Sequence, residues 1–199
     1  MTQSLQKLYT FDEFLEFLET QPENVRYELH DGDIVKMPQP LGTHEKIIAF
    51  LTILLGIACG RLNLQYGIPK TALVKPENKQ SGYYPDILLL NLPNLVNEPK
   101  WEKESTVSQA ASIPLIIEVV STNWRDDYYK KFADYEEMGI REYWIVDYAP
   151  FGSKTLIGYP KQPTITIYSL NDDDEYQGKQ FRLFRTCYAK ITSTESGTG

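Results

Sequence analysis

Two acidic side chains stand where acids are costly. Asp86 opens the run Pro85-Asp86-Ile87-Leu88-Leu89-Leu90, and Glu118 interrupts Pro114-Leu115-Ile116-Ile117-Glu118-Val119-Val120. Short, nearly continuous apolar runs of this kind read as strands buried on both faces. A lone carboxylate on such a strand costs on the order of several kcal/mol unless it is paired or metal-bound. If the two strands are neighbours, both carboxylates reach one hard cation, and oxygen ligands at about 2.1 Å suit Mg²⁺. An exposed edge position or a structural salt bridge is the plain alternative, and spacing alone leaves both open.

A positive partner comes from the segment that follows. Residues 125–138 carry helical periodicity, with Tyr128, Phe132 and Tyr135 on one apolar stripe and Gly139 closing the helix. At about 100° per residue, Lys131 lies roughly 60° from Tyr128, at the border of the stripe, while Lys130 lies roughly 160° away on the outer face. Lys131 therefore reaches inward as a base or charge stabiliser, or snorkels over apolar surface. Lys130 faces solvent. Tyr135 packs near Lys131 and orients it. Glu28, just before a hairpin turn, is either a third carboxylate of the site or an ordinary exposed strand acid. His44, near a helix N-terminus, has access to the cleft or a structural role.

The elements that must position these residues follow from local pattern. Thr10-Phe11-Asp12-Glu13 is a capping box, and it opens a short amphipathic helix over 10–20. Val25–His30 and Asp33–Met37 flank Asp31-Gly32, a two-residue hairpin signal. A long helix runs from about Thr43 to Ala58, with Ile47, Ile48, Leu51, Leu54, Leu55 and Ala58 on one face and Gly60 at its end. Strands are expected at Tyr66–Lys75, Pro85–Asn91, Pro114–Val120 and Glu142–Asp147. Asn94 to Ser112 has no clear period and reads as a long loop with room for a helical turn. Lys154–Gly158, Thr164–Ser169 and Gln180–Phe184 read as a closing β meander, with the acidic run Asp172–Glu175 as a solvated hairpin tip. The tail Ser193–Gly199 reads as frayed. Helix, three strands, helix, strand implies a βαβ crossover and some parallel pairing.

Composition bounds the rest. The 199 residues suit one α/β domain: a core over about 24–150, a β extension over about 151–190, and the tail. A net charge of −7 argues against a protein that coats DNA. It does not exclude an acidic metal site, whose charge a bound ion cancels locally. Charge is uneven: His44 to Lys79 holds five Lys/Arg against two acids. No apolar run reaches about 18 residues, and Met1 to Leu8 lacks a signal-peptide pattern, so a cytoplasmic protein with no membrane partner is expected. Cys59 and Cys187 form no framework and no zinc pattern; both are expected as reduced, structural thiols.

In combination these residues resemble a known family. Pro85-Asp86 followed by Ile117-Glu118-Val119 resembles the split signature of the PD-(D/E)xK nuclease superfamily. From Arg26 to Asp147 the chain is more closely similar to the Uma-two family of restriction endonucleases, a domain-of-unknown-function group. The matching pieces are Tyr27-Glu28-Leu29-His30-Asp31-Gly32, His44, Pro85-Asp86, Glu118-Val119-Val120-Ser121, then Asp127, Lys131 and Tyr135 at four-residue steps, and Gly139 to Asp147. The resemblance implies a restriction-endonuclease-like αβββαβ core with a mixed central sheet, preceded by a helix and hairpin. It implies Asp86 and Glu118 as metal ligands, with Mg²⁺ as cofactor and Mn²⁺ as a substitute. It implies hydrolysis of DNA phosphodiester bonds, with Lys131 and Glu28 completing the catalytic set. The superfamily's lysine, two residues after the glutamate, is here Val120, which moves that role to Lys131. Cutting both strands would call for a homodimer. Two other classes stay open: a binding or assembly module on the same fold, and a metal-dependent hydrolase of another phosphate ester.

Overall fold

The computed structural model describes residues 7–22 and 24–182. Helix α1 (Phe11–Glu19) starts on the expected capping box: Glu13 N donates to Thr10 Oγ1 at 3.2 Å, and Thr10 N donates to Glu13 Oε2 at 2.9 Å. Strands β1 (Tyr27–His30) and β2 (Asp33–Lys36) pair antiparallel across Asp31-Gly32. Both turn residues have positive φ, 50° and 91°, as a two-residue hairpin that matches strand twist requires.

Helix α2 (Gly42–Arg61) leads to β3 (Tyr66–Gly67) and β4 (Leu73–Val74). One strand was expected over Tyr66–Lys75. Pro69 cannot donate to a ladder, and the two halves join different sheets: β3 pairs with β5 (Ile87–Asn91), while β4 pairs with β6 (Thr106–Val107). The stretch from Asn94 to Ser112 is more ordered than a loop. It holds a 3₁₀ turn, helix α3 (Trp101–Glu104), β6 and a second 3₁₀ turn.

Strand β7 (Leu115–Val119) precedes a π turn at Asp126–Lys130 that runs into helix α4 (Lys131–Glu137) and then β8 (Glu142–Asp147). The first strand of the expected meander is instead helix α5 (Lys154–Ile157), set between Ser153 in extended conformation and Gly158 at φ +80°. One helical turn closes where a strand was expected, with Ile157 N donating to Ser153 O at 3.1 Å and Gly158 N to Lys154 O at 3.0 Å. Strands β9 (Thr164–Leu170) and β10 (Tyr176–Arg182) then form a hairpin around the acidic tip. Asn171 Oδ1 accepts from Asp173 N and Glu175 N there, each at 2.9 Å. The expectations for Cys187 and for Ser193–Gly199 lie outside the described residues; Cys59 is a half-buried free thiol.

The main sheet has the order β10-β9-β8-β7-β5-β3, parallel only at β7/β8, so the chain is a mixed α/β fold with the crossover the element order implied. Its two faces follow from the period-2 alternation of side chains. Leu88, Leu90, Ile116 and Val120 pack with Tyr128 and Tyr135 of the π-turn–α4 segment. Ile87, Leu89, Leu115, Ile117 and Val119 pack against Ile47, Ile48, Leu51 and Leu55 of α2. The π-turn–α4 segment and α2 therefore cover opposite faces. Helix α2 is long and apolar enough to cross a membrane by length and composition. Its charges stand only near its ends, and one side of it is packed on the sheet.

Candidate active site

The strand register brings the two acids together. Ile87 pairs with Ile117 and Leu88 with Ile116, antiparallel, so one step further sets Asp86 opposite Glu118. Alternation sends both toward the face covered by α4. Asp86 Oδ2 accepts from Val119 N at 2.7 Å, tying the mouth of β5 to the end of β7. His44, on the first turn of α2, lies across this junction. Its Nε2 donates to Val119 O at 2.8 Å and is 3.3 Å from Asp86 Oδ2. Because a carbonyl only accepts, the proton is on Nε2. Burial pulls the His44 pKa down, but the hydrogen bond and charge of Asp86 outweigh it, and the net shift is upward.

Lys131 lies at the centre, 2% exposed. Its Nζ is 3.1 Å from Glu118 Oε1, 3.3 Å from Glu28 Oε1 and 3.7 Å from Asp127 Oδ1. The π turn delivers it: Lys131 N donates to Asp126 O across that wider turn, at the junction with α4. Lys130, beside it in sequence, points out and pairs with Asp31 on the hairpin. At position 120, where the superfamily would have its lysine, Val120 is fully buried in apolar packing. The ammonium thus reaches Glu118 from the helix and not from the strand.

Glu28 is not an exposed strand acid; it is 1% exposed. An isolated bridge between Leu29 and Gly82 lays β1 along the segment that enters β5. Glu28 Oε1 then accepts from Tyr84 N at 3.0 Å, and Oε2 is 3.0 Å from His30 Nε2. Tyr135 departs from its expected role. Its hydroxyl donates to Glu118 Oε1 at 3.3 Å, so it orients the carboxylate and not the lysine. Tyr83 stands edge-on to Tyr135, 5.9 Å between ring centroids, and its ring lies 5.7 Å from Lys131 Nζ.

Asp127 is the member that sequence reasoning left without a role. Its signal was its place four residues before Lys131, where helical side chains meet. It is buried, and its backbone carbonyl accepts from Tyr143 OH at 2.8 Å.

Four carboxylates here face one buried ammonium, and the electrostatics show the imbalance. Burial pushes the Glu118 carboxyl well above its ordinary range; Lys131 opposes this, while Asp127, Asp86 and Glu28 add to it. Burial likewise pushes Asp127 up to about 7, against the pull of Lys131 and with help from Asp86 and Glu28. Burial also acts on Glu28, but Lys131 and the hydrogen bond with His30 bring its pKa below the usual value. Burial would lower Lys131, yet Glu118, Glu28 and Asp127 hold it well above the ordinary lysine range.

These groups line an open cleft of about 200 Å³ whose other walls include Arg26, Met37, Pro40, Ser121 and Tyr148. Among the described residues, no three His, Cys, Asp or Glu side chains converge as they stand on a single coordination point.

Residues 11–187 match the sequence profile of Uma2, described as "Putative restriction endonuclease". The chain belongs to the Uma2 family. The Uma2 fold seen here matches a crystal structure from Anabaena variabilis ATCC 29413 of a "putative nuclease belonging to DUF820", with a TM-score of 0.63 over 87% of this chain and 84% of that one. Identity between them is 16%, so this likeness speaks for the fold. No curated protein matches the chain. The family description of this Uma2 chain supports a nuclease.

Proposed function

We propose that the chain is a Mg²⁺-dependent endonuclease that hydrolyses DNA phosphodiester bonds in the cleft around Glu118. One observation carries the reading. Asp86 and Glu118 stand opposite each other on neighbouring strands, and a buried ammonium lies 3.1 Å from Glu118. The donor set is all carboxylate oxygen, which suits a hard divalent cation such as Mg²⁺ or Mn²⁺. The surplus of acids over bases calls for positive charge. Asp86 and Glu118 would hold the ion, with Glu28 as a nearby third oxygen source. The ion supplies polarisation of a phosphoryl oxygen and a lowered pKa for a water molecule.

The protein's own groups divide the remaining work. Lys131, held protonated, stabilises negative charge on the phosphoryl oxygens and does not serve as a base. Asp127, buried at the cleft 3.7 Å from Lys131 Nζ, would exchange a proton with a water molecule or leaving group. Tyr135 orients Glu118, and His44 fixes Asp86. His30 and Tyr84 N anchor Glu28, which holds Lys131 from the side opposite Glu118.

Plasmid DNA, single-stranded DNA and RNA incubated with Mg²⁺ or Mn²⁺ test the proposal. Cleavage of DNA that EDTA stops and that Asp86→Ala and Glu118→Ala abolish is expected. Unchanged cleavage by the double variant would rule out this site. One observation favours a second reading, a nuclease-fold binding module without activity: Asp86 Oδ2 is already engaged by Val119 N and His44. Calorimetric titration with Mg²⁺ separates the two, because the binding module shows no heat that depends on Asp86.

A further inference from the structure

The outer side of α2 has no partner among the described residues, and its composition is unlike a solvent-facing surface. From Ile47 to Gly60 the helix has no charged residue. Its inner side rests on the sheet through Ile47, Ile48, Leu51 and Leu55. Its outer side leaves Phe50 43%, Ile53 62%, Leu54 47% and Ile57 48% exposed. Ala49, Phe50, Ile53, Gly56, Ile57 and Gly60 lie within about 60° of one line down the helix, at about 100° per residue. Space is open beside Gly56 and Gly60, where an added Cβ would meet nothing within 4 Å.

A contiguous apolar patch of this size marks an interaction surface. We infer that it is the interface of a two-fold homodimer, with Ile53 of each copy against Ile53 of the other. Two considerations select a second copy. The first is area. A helix of 20 residues is about 30 Å long, and pairing two such faces with their flanks removes on the order of 1,000 Å² from water, the lower limit for a specific interface. The second is charge. A lipid surface that held this helix would be recruited by clustered Lys/Arg. Here the flanks mix Glu45, Lys46 and Arg61 on a chain of net charge −7.

The inference is independent of the proposed chemistry, but it has a consequence for it. His44 stands on the same helix, nine residues or about 14 Å along it from Ile53. Pairing through α2 would therefore couple the Asp86 anchors of two sites to one shared element.

Sedimentation velocity of the full chain at tens of micromolar tests the interface. A species of twice 23.0 kDa is expected. Ile53→Glu places two like charges at the two-fold and is expected to give the 23.0 kDa monomer with an unchanged circular dichroism spectrum. Ile53→Cys, with Cys59 and Cys187 replaced by Ser, is expected to oxidise to a covalent dimer, whereas Glu102→Cys in the same background stays monomeric on a non-reducing gel. A wild-type monomer overturns the inference, whether or not it floats with neutral or anionic vesicles. A dimer that survives Ile53→Glu, or that fails to cross-link through Cys at 53, also overturns it.

Discussion

Replacing Lys131 by methionine isolates the electrostatics of the cleft. The aliphatic stem is kept, and what is lost is an ammonium within 3.7 Å of three buried carboxylates. Removing one partner of a buried ion pair costs about 3–5 kcal/mol, because the other charge is left without compensation. In a chain of this size 1 kcal/mol moves Tm by about 2–4 °C, so a fall of roughly 6–20 °C is expected near pH 8. The fall should shrink in acid. Glu118 and Asp127 keep their protons to higher pH when folded than when unfolded. Between the two pKa values, for Asp127 from 3.8 to about 7, the folded state binds more protons. Stability then declines as pH rises through that window, and without Lys131 the decline is steeper. Differential scanning calorimetry in EDTA at pH 5.5 and pH 8 reads both effects. Lys130→Met is the control. Its ammonium is partly exposed and pairs with a surface acid, so its loss should cost no more than about 1 kcal/mol. Equal losses for the two lysine variants, or a Lys131→Met penalty independent of pH, would refute the reasoning. With less positive charge in the cleft, Lys131→Met should also bind Mg²⁺ more tightly by calorimetry while any cleavage falls by about 10²–10³.

Other outcomes follow from the same geometry. Glu118→Gln keeps the shape of the side chain but should lose Mg²⁺ binding, read by calorimetric titration. Asp127→Asn should flatten the decline of Tm between pH 5 and pH 7.5 and move the acidic limb of the cleavage profile, measured on a plasmid substrate. His44→Ala should weaken Mg²⁺ binding and cost about 1–3 kcal/mol of stability, since Val119 O and Asp86 lose their shared donor. His44→Gln, able to donate again, should recover part of both.

Much of this was written in local pattern. The capping box set the start of α1, Asp31-Gly32 set the hairpin, and the apolar runs around Asp86 and Glu118 set two inner strands, because each signal is contained within a few residues. The same runs marked both acids as anomalous without showing what they faced. That depended on register: only pairing Ile87 with Ile117 sets Asp86 opposite Glu118, and register is a relation between segments some thirty residues apart. Local reading failed at Tyr66–Lys75, where two halves join different sheets, and at Lys154–Gly158, which closes into a single helical turn. Helical angles placed Lys131 at the border of the apolar stripe, but the π turn and the arrival of β1 decide that it is buried among three acids. Glu28 reaches the cleft for the same reason, through a bridge to Gly82 that no sequence neighbour specifies. Sequence alone determined which side chains were chemically expensive and which elements carried them. Tertiary structure decided which of those charges would meet, because Coulomb energies depend on distances that only the folded chain sets.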